Sequence, residues 1–280
     1  MAPHISHSGL TKYLFCPFSY KIRYIEGVRS EGTIFTAFGH SIHATCQAIL
    51  LDETDNPKDF FLNNFEKELN DLSPEYKDRI FKPQVEYDEG LLPILQDMMK
   101  KGAWLSKTAV EALTKQFGKF KVVAVETEIQ EPITDYDNAD FEFKGVIDLV
   151  IQTEDGKYHV IDWKTCSWGW KAEKKTDKIT SYQLTYYKHF YTLINDIEPV
   201  DAQTWFVLIK RTAFTQDKET KKLTPKDDII EFLPVTSGQR KINNALNILN
   251  NVVYNIDHKR FFKNKSNCKK CEWHKTKWCP

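Results

Sequence analysis

The sequence lacks the long apolar runs and the excess of one charge sign that several classes of protein require. No stretch reaches the roughly 18 consecutive apolar residues of a membrane span. The amino-terminal residues also lack the basic segment followed by an apolar run that marks a secretory leader. Lysine plus arginine equal aspartate plus glutamate, at 39 each, so no net positive field can hold a polyanion. These absences predict a cytoplasmic protein without a membrane partner, in which nucleic acid would be bound by local basic patches.

The cysteines give no sign of a disulfide framework, because six of them occur in a chain without a secretory leader. Three are crowded in a C-x2-C-x7-C pattern near the carboxyl end, at Cys268, Cys271 and Cys279. Cys16 is the natural candidate for a fourth thiolate. Four thiolates can bind either an iron–sulfur cluster or Zn²⁺. In a zinc site that does not include Cys16, His274 would be the fourth ligand. Cys46 and Cys166 are interpreted as ordinary free cysteines.

Hydrophobic residues make up 41% of the chain, which predicts one compact globular molecule. Residues 8–26 are predicted to form a short helix followed by an extended stretch. Apolar periodicity predicts further helices over residues 36–50, 58–72, 91–117, 179–194 and 237–254. Strands are predicted over residues 121–128, 141–152, 158–163 and 203–210. Asp155-Gly156 lies between two of these strands and predicts a hairpin turn.

Three charged residues are expected to meet at the end of this hairpin. Asp162 and Lys164 lie on the same face of their strand, because side chains alternate with period two, and antiparallel pairing brings Asp148 close to them. Clustered carboxylates are costly unless a cation neutralises them, and their hard oxygen atoms suit Mg²⁺ or Mn²⁺. A neighbouring lysine stabilises the charge that builds on a scissile phosphate. The alternative is a salt-bridged strand end exposed to solvent.

Four short motifs occur in an order that is specific when they are taken together. They are Gly39-His40-Ser41-Ile42-His43, Gly145-Val146-Ile147-Asp148, Asp162-Trp163-Lys164 and Gln183-Leu184-Thr185-Tyr186-Tyr187. In these motifs the sequence resembles the PD-(D/E)XK nuclease superfamily. Within that superfamily it is similar to RecB-like exonucleases, which include the nuclease domains of bacterial recombination helicase-nucleases and the CRISPR-associated adaptation exonuclease.

The resemblance implies a role for each residue of the predicted site. His43, Asp148 and Asp162 would be metal ligands, together with the backbone carbonyl of Trp163, and Lys164 would be the catalytic lysine. His40 lies on the same helical face as His43 and is the alternative histidine.

The resemblance also assigns a catalytic glutamate and two residues near the substrate. Glu126 is the preferred match for the glutamate, and Glu128, on the same face of its strand, stays open. Gln183 and Tyr187 project from one face of a predicted helix. They would either bind substrate or pack the helix.

The resemblance implies an α/β fold with a restriction-endonuclease-like core, in which helices flank a mixed central sheet. It also implies a [4Fe–4S] cluster held by Cys16, Cys268, Cys271 and Cys279, although the spacing before Cys279 is longer than the family commonly has. One compact unit would comprise an N-terminal strap (1–35), a helical part (36–118), a nuclease core (119–250) and a basic, cysteine-rich tail (251–280).

The sequence therefore predicts a metal-dependent DNA exonuclease that acts on single-stranded DNA or duplex ends in recombination, repair or CRISPR adaptation, with partner proteins from those processes. The alternatives are a non-catalytic DNA-binding or assembly protein with the same fold, and an RNA-directed nuclease. Basic residues interleaved with aromatics occur beside Trp168 and Trp170 and again in the tail. They are interpreted either as sites for a single strand or as ordinary solvated surface.

Overall fold

A six-stranded mixed sheet lies at the centre of the protein. The computed structural model describes residues 3–81, 90–133, 141–217, 219–220 and 223–280. The strands of the sheet are β1 (His4–Ile5), β2 (Phe120–Pro132), β3 (Glu142–Thr153), β4 (Tyr158–Cys166), β5 (Ala202–Lys210) and β8 (Ile230–Pro234). Between β5 and β8, a separate small hairpin is formed by β6 (Phe214–Gln216) and β7 (Leu223–Pro225).

The register of the strands leaves an opening on one edge of β3. Strand β2 pairs antiparallel with β3 along nearly its whole length. Strand β4 pairs with β3 only at residues 149–152, and β1 pairs with β3 only at residues 142–143. Because β2 occupies one edge of β3, β1 and β4 share the other edge. Among the described residues, no strand therefore pairs with residues 144–148 of β3 on that side.

Helices cover both faces of the sheet. They are α1 (His7–Phe15), α2 (Pro17–Tyr20), α3 (Ile34–Leu50), α4 (Pro57–Asn70), α5 (Pro74–Phe81), α6 (Leu92–Phe117), α7 (Ala172–Lys175), α8 (Lys178–Ile194) and α9 (Gln239–Asp257). One hydrophobic core packs α1, α8 and α9 on the sheet, and a second packs α3 to α6 on the opposite face. The predicted mixed sheet flanked by helices is confirmed. Among the described residues, no helix combines the length and the apolar character of a membrane span.

Polar residues at the helix starts fix where the site-bearing helices begin. The Thr33 side chain accepts a hydrogen bond from the Thr36 backbone N–H and completes a capping box for α3. Asp177 caps α8 by accepting from the Thr180 backbone N–H at 2.7 Å. These caps offset the unpaired backbone N–H groups of the first turn, so the start of each helix is encoded locally.

The extended stretch predicted within residues 8–26 is wrong, because the chain there is helical. Helix α1 ends at Phe15, and Pro17 starts α2 at a position where its missing N–H breaks no helical hydrogen bond. A π-helical turn over Lys21–Ile25 follows directly. Helices α5 and α7 and strands β1, β6, β7 and β8 were not predicted. Strands as short as β1 and β8 are stable only through their partners in the sheet.

Helices α4 and α6 pack closely at Gly102. A Cβ atom at this position would lie 2.0 Å from Phe61 Cζ, and the Phe61 ring is fully buried. We expect Gly102→Ala to lower the free energy of unfolding by about 1–3 kcal/mol, because the ring has no room to move away. Denaturant unfolding would measure it, with Gly9→Ala in α1 as the control, since the nearest contact of that Cβ would be an ordinary one, 3.4 Å from Ile5 Cγ1. Equal stability of the two variants would contradict the expectation.

Candidate active site

The predicted acidic residues meet at the opening between β3 and β4. Asp148 is the last residue of β3 before pairing with β4 begins, and its Oδ2 accepts a hydrogen bond from the Trp163 backbone N–H at 2.7 Å. This bond links the two strands where their backbones no longer pair. Asp162 lies beside Trp163 on β4 and is almost completely buried, with 1% of its surface exposed.

Helix α3 and strand β2 bring two further ligand-type side chains to Asp148. Ligand atoms of His43, Glu126 and Asp148 all lie within 4.8 Å of one another. The Nδ1 atom of His43 is 3.5 Å from Asp148 Oδ2. The backbone of Trp163 also acts on the His43 ring, where it partly offsets the lowering of the His43 pKa by burial. The cluster therefore combines an imidazole with carboxylates, a donor set suited to a divalent cation.

The structure distinguishes Glu126 from Glu128. Glu126 has a φ of 45°, in the left-handed region, which interrupts the regular alternation of β2. Its carboxylate lies in the cluster with Asp148. Glu128 instead forms a partly exposed ion pair with Lys144 at 2.8 Å. Strained backbone of this kind is concentrated at functional sites.

The two histidines of α3 also have different environments. The His40 side chain is 69% exposed and its Nδ1 lies 2.8 Å from Glu68 Oε2. His43 is half-buried beside Asp148. At Gly39, a Cβ atom would approach Thr165 Oγ1 to 3.2 Å, so the glycine permits close packing of α3 on β4.

A hydrogen-bonded chain extends from Asp162 into helix α8. Lys164 Nζ lies 2.6 Å from Asp162 Oδ2, as strand alternation predicted. The Gln183 side-chain amide donates to Asp162 Oδ1 at 2.7 Å and to the Tyr187 hydroxyl at 3.2 Å. A Cβ atom at Gly145 would lie 2.7 Å from Tyr187 Cε1, so the first glycine of the G-V-I-D motif leaves room for this tyrosine.

Burial and charge shift the pKa values of these groups strongly. Burial, reinforced by Asp162, raises the pKa of Asp148 well above its usual value, and burial also raises the pKa of Asp162. Burial opposes the charge of Lys164, but the carboxylates of Asp162 and Asp148 outweigh it and raise the pKa of Lys164. Burial, followed by the charge of Lys164, lowers the pKa of His43 to about 4. The site therefore holds a neutral imidazole beside acids that are costly to ionise without a cation.

The raised pKa of Asp148 predicts a pH effect on the metal-free protein. The folded state binds this proton more tightly than the unfolded chain, so the contribution of Asp148 to stability declines as pH rises through its raised pKa. Asp148→Asn does not titrate. We therefore expect its unfolding free energy, relative to the native protein, to increase from about pH 4 to about pH 7 in EDTA. Denaturant unfolding over this range would measure the difference, and parallel pH profiles would contradict the expectation.

The cysteines predicted to bind a cluster lie together at a second place. Cys16, Cys268, Cys271 and Cys279 line one cavity formed by the amino- and carboxyl-terminal segments. The Asn264 backbone N–H donates to Cys16 Sγ at 3.4 Å, and the Asn267 side chain donates to the Phe15 carbonyl at 2.6 Å. Of the other cysteines, Cys46 is fully buried in the core and Cys166 is half-buried at the end of β4.

Several residues of the two basic patches contact aromatic rings. Lys174 Nζ lies 4.4 Å from the Trp170 ring centroid, and Lys263 Nζ lies 5.0 Å from that of Phe18. Lys175 forms an ion pair with Glu231. Trp168 is 76% exposed. The first patch adjoins the site, because burial and then the nearby positive charge of Lys164 lower the pKa of Lys174.

The family comparison shows the class of protein to which this fold and site belong. The family model of the PD-(D/E)XK nuclease superfamily matches residues 4–280, and the chain belongs to this superfamily. No curated protein matches the sequence. Among solved structures, the crystal structure of SSO0001 aligns at 13% identity over 95% of this chain and 92% of that chain, with a TM-score of 0.36. This likeness is too low to transfer fold or function.

Two residues near the site were not predicted from the sequence. The His7 Nε2 atom lies 2.8 Å from the Ile179 carbonyl oxygen. Burial lowers the pKa of His7, and the positive charge of Lys164 lowers it further. Tyr24 shares a cavity with His7, Gln183 and Tyr187. Neither lies in a motif, and their proximity depends on the path of the first 25 residues across the sheet.

Proposed function

We propose that the protein is a metal-dependent exonuclease that hydrolyses phosphodiester bonds of single-stranded DNA or of duplex DNA ends. The observation that carries this proposal is the meeting of His43, Glu126 and Asp148 beside the ion pair of Asp162 and Lys164. A protein that only bound DNA would gain nothing from such an arrangement, because buried carboxylates are costly without a cation.

The residues at the opening fit a hard divalent cation such as Mg²⁺ or Mn²⁺. The donors are the imidazole of His43, the carboxylates of Glu126, Asp148 and Asp162, and the carbonyl of Trp163. The raised pKa values of both aspartates express the cost of burying their negative charges, which a cation would offset. The chemistry supplied by a bound cation is neutralisation of these carboxylates and polarisation of the scissile phosphate.

The other residues have roles that follow from their contacts. Lys164 keeps its positive charge, so its Nζ would stabilise the negative charge that builds on the phosphate during hydrolysis. Gln183 donates to Asp162 and so fixes the orientation of that carboxylate. Tyr187 supports Gln183 through its hydroxyl.

Cleavage of end-labelled DNA tests this function. Linear single-stranded DNA, blunt duplex, circular single-stranded DNA and RNA of the same sequence would each be incubated with Mg²⁺, Mn²⁺ or EDTA. The proposal expects cation-dependent loss of the linear DNA, with the circle resistant, and the labelled end released first gives the polarity. Cleavage of the circle would indicate an endonuclease, and preference for RNA would indicate the RNA-directed alternative. No cleavage by folded, metal-loaded protein would favour the non-catalytic DNA-binding or assembly protein.

A [4Fe–4S] cluster is proposed as the group that ties the two chain ends together. The Ser19 hydroxyl and the Trp273 indole N–H lie at the same cavity as the four thiols, and both are buried without a hydrogen-bond partner in the part of the chain that the structure describes. Cluster sulfurs would accept hydrogen bonds from such groups. The cavity residues therefore fit the cluster.

Four thiols could hold either a cluster or Zn²⁺, and the two groups require different sulfur spacings. Tetrahedral Zn²⁺ requires sulfur atoms about 3.8 Å apart, given Zn–S bonds of about 2.3 Å. Among the described residues, no three of these cysteines, with or without His274, have ligand atoms within 4.8 Å of one another. A four-iron cluster holds its thiolates farther apart, because each thiolate binds a different iron.

Metal analysis of anaerobically purified protein tests the cluster. The native protein and Cys166→Ser are expected to contain about four irons per chain and to absorb visible light. Cys16→Ser should lose most of the iron and melt at a lower temperature, because the link between the chain ends is lost. Colourless native protein with one zinc would instead establish the zinc site.

A further inference from the structure

A cavity of about 310 Å³ adjoins the candidate active site at the opening between β1 and β4 beside β3. Its walls come from β1 and the start of α1, from residues 144–146 of β3, from α8 and from the π-helical turn. This volume is in the range of small-ligand pockets, about 300–1,000 Å³. Gln183 and Tyr187 connect the cavity to the candidate active site. They line the cavity and also form the hydrogen-bonded chain to Asp162.

The aromatic wall of the cavity is the end of a stack of rings. The Tyr20 ring stacks on Phe261, with centroids 6.3 Å apart, and on Tyr24, with centroids 4.9 Å apart and planes inclined by 28°. Tyr20 is buried, whereas Tyr24 is 42% exposed. Both tyrosines line the cavity, and Tyr24 lies within the π-helical turn, a rare element that is frequent at functional sites. A planar ligand would extend this stack.

The charges around the cavity do not suit a phosphate group. Lys144 is paired with Glu128 at 2.8 Å. The His7 ring lies 2.8 Å from the Ile179 carbonyl oxygen, and burial lowers its pKa to about 4, so it is neutral at pH 7. An uncharged heterocycle with polar edges fits such walls better than an anion.

We propose that this cavity binds an unpaired nucleobase of the substrate strand, stacked on Tyr24, next to the phosphate that the candidate active site cleaves. The proposal rests on the nuclease function proposed above. A paired base in a duplex has both faces covered by its neighbours, so it must leave the stack to enter the cavity. The cavity therefore gives a physical reason for a preference for single strands and frayed ends.

Binding of oligonucleotides in EDTA tests the nucleobase site without cleavage. One set of linear single strands has every base, and a matched set has one abasic position, scanned along the strand. Tyr24→Ala is expected to bind the intact strand about 5- to 150-fold more weakly, the loss that one base–aromatic stack predicts. Tyr24→Phe should bind like the native protein. Trp104→Ala, which removes a ring of similar exposure on α6, is the matched control.

The decisive result is whether the loss of binding caused by Tyr24→Ala and the loss caused by removing one base depend on each other. At one position, removal of the base should weaken the native protein as much as Tyr24→Ala does, and the two changes together should cost no more than either one. Additive losses at every position, or unchanged binding by Tyr24→Ala, would overturn the nucleobase site. Parallel cleavage assays separate the two proposals. Cleavage of DNA without this coupling would overturn only the nucleobase site. Coupling without any cleavage would overturn only the proposed nuclease activity.

Discussion

Lys164→Ala is expected to reduce cleavage of single-stranded DNA by about two to three orders of magnitude. Lys164 Nζ lies 2.6 Å from Asp162 Oδ2, and the two carboxylates keep the lysine charged. Its removal takes away the side chain that would stabilise charge on the scissile phosphate. A fixed charge in a partly buried site acts more strongly than the same charge in water. Initial rates with labelled DNA and Mn²⁺ would measure the loss.

A matched variant separates this effect from the general loss of a positive charge. Lys157 also forms an ion pair, with Asp201 at 2.5 Å, and it precedes the opposite end of the same strand. Lys157→Ala should cleave at the native rate. Stabilisation of Lys164→Ala by Mg²⁺ or Mn²⁺ would show that the site still binds metal. Native activity in Lys164→Ala would contradict the catalytic role of Lys164.

Glu126→Gln is expected to reduce cleavage by about 100-fold, whereas Glu128→Gln should change it little. Glu126 lies in the cluster with His43 and Asp148, and Glu128 forms a partly exposed ion pair with Lys144. Loss of a residue that only supports a metal ligand costs about 10- to 100-fold, so loss of a direct ligand should reach the upper end of that range. The two substitutions remove the same charge from the same strand two residues apart, so each is the control for the other.

A metal titration adds a second measurement to this pair. Cleavage by Glu126→Gln should require a higher Mn²⁺ concentration for half-maximal rate, because one donor of the cluster has lost its charge. The half-maximal concentration for Glu128→Gln should equal that of the native protein. The reverse order of the two variants would move the ligand role to Glu128.

The elements that carry the site were predictable because their signals are local. Strand alternation alone placed Asp162 and Lys164 on one face, and the structure has their charged atoms 2.6 Å apart. Asp155-Gly156 forms the predicted turn, in which the Gly156 N–H donates to the Thr153 carbonyl at 2.9 Å. Helical spacing put Gln183 and Tyr187 on one face, where they share a hydrogen bond. Each relation depends on residues close together in the chain.

The choices that the sequence left open depended on contacts between distant segments. Alternation gave Glu126 and Glu128 the same face, and only their contacts in the folded chain separate them, since Glu126 lies with Asp148 and Glu128 pairs with Lys144. Helical spacing gave His40 and His43 the same face, and only the packing of α3 on β4 puts His43 beside Asp148. The meeting of Cys16 with the carboxyl-terminal cysteines joins opposite ends of the chain.

The opening at which the site forms also belongs to the tertiary structure. It exists because β1 and β4 share one edge of β3 without meeting, and β1 has only two residues, too few for a recognisable pattern. The sequence by itself determined which side chains could perform the chemistry, since strand and helix periods act over a few residues. Only the tertiary structure decided which of them meet, because strand register and helix docking depend on hydrophobic contacts made across the whole chain.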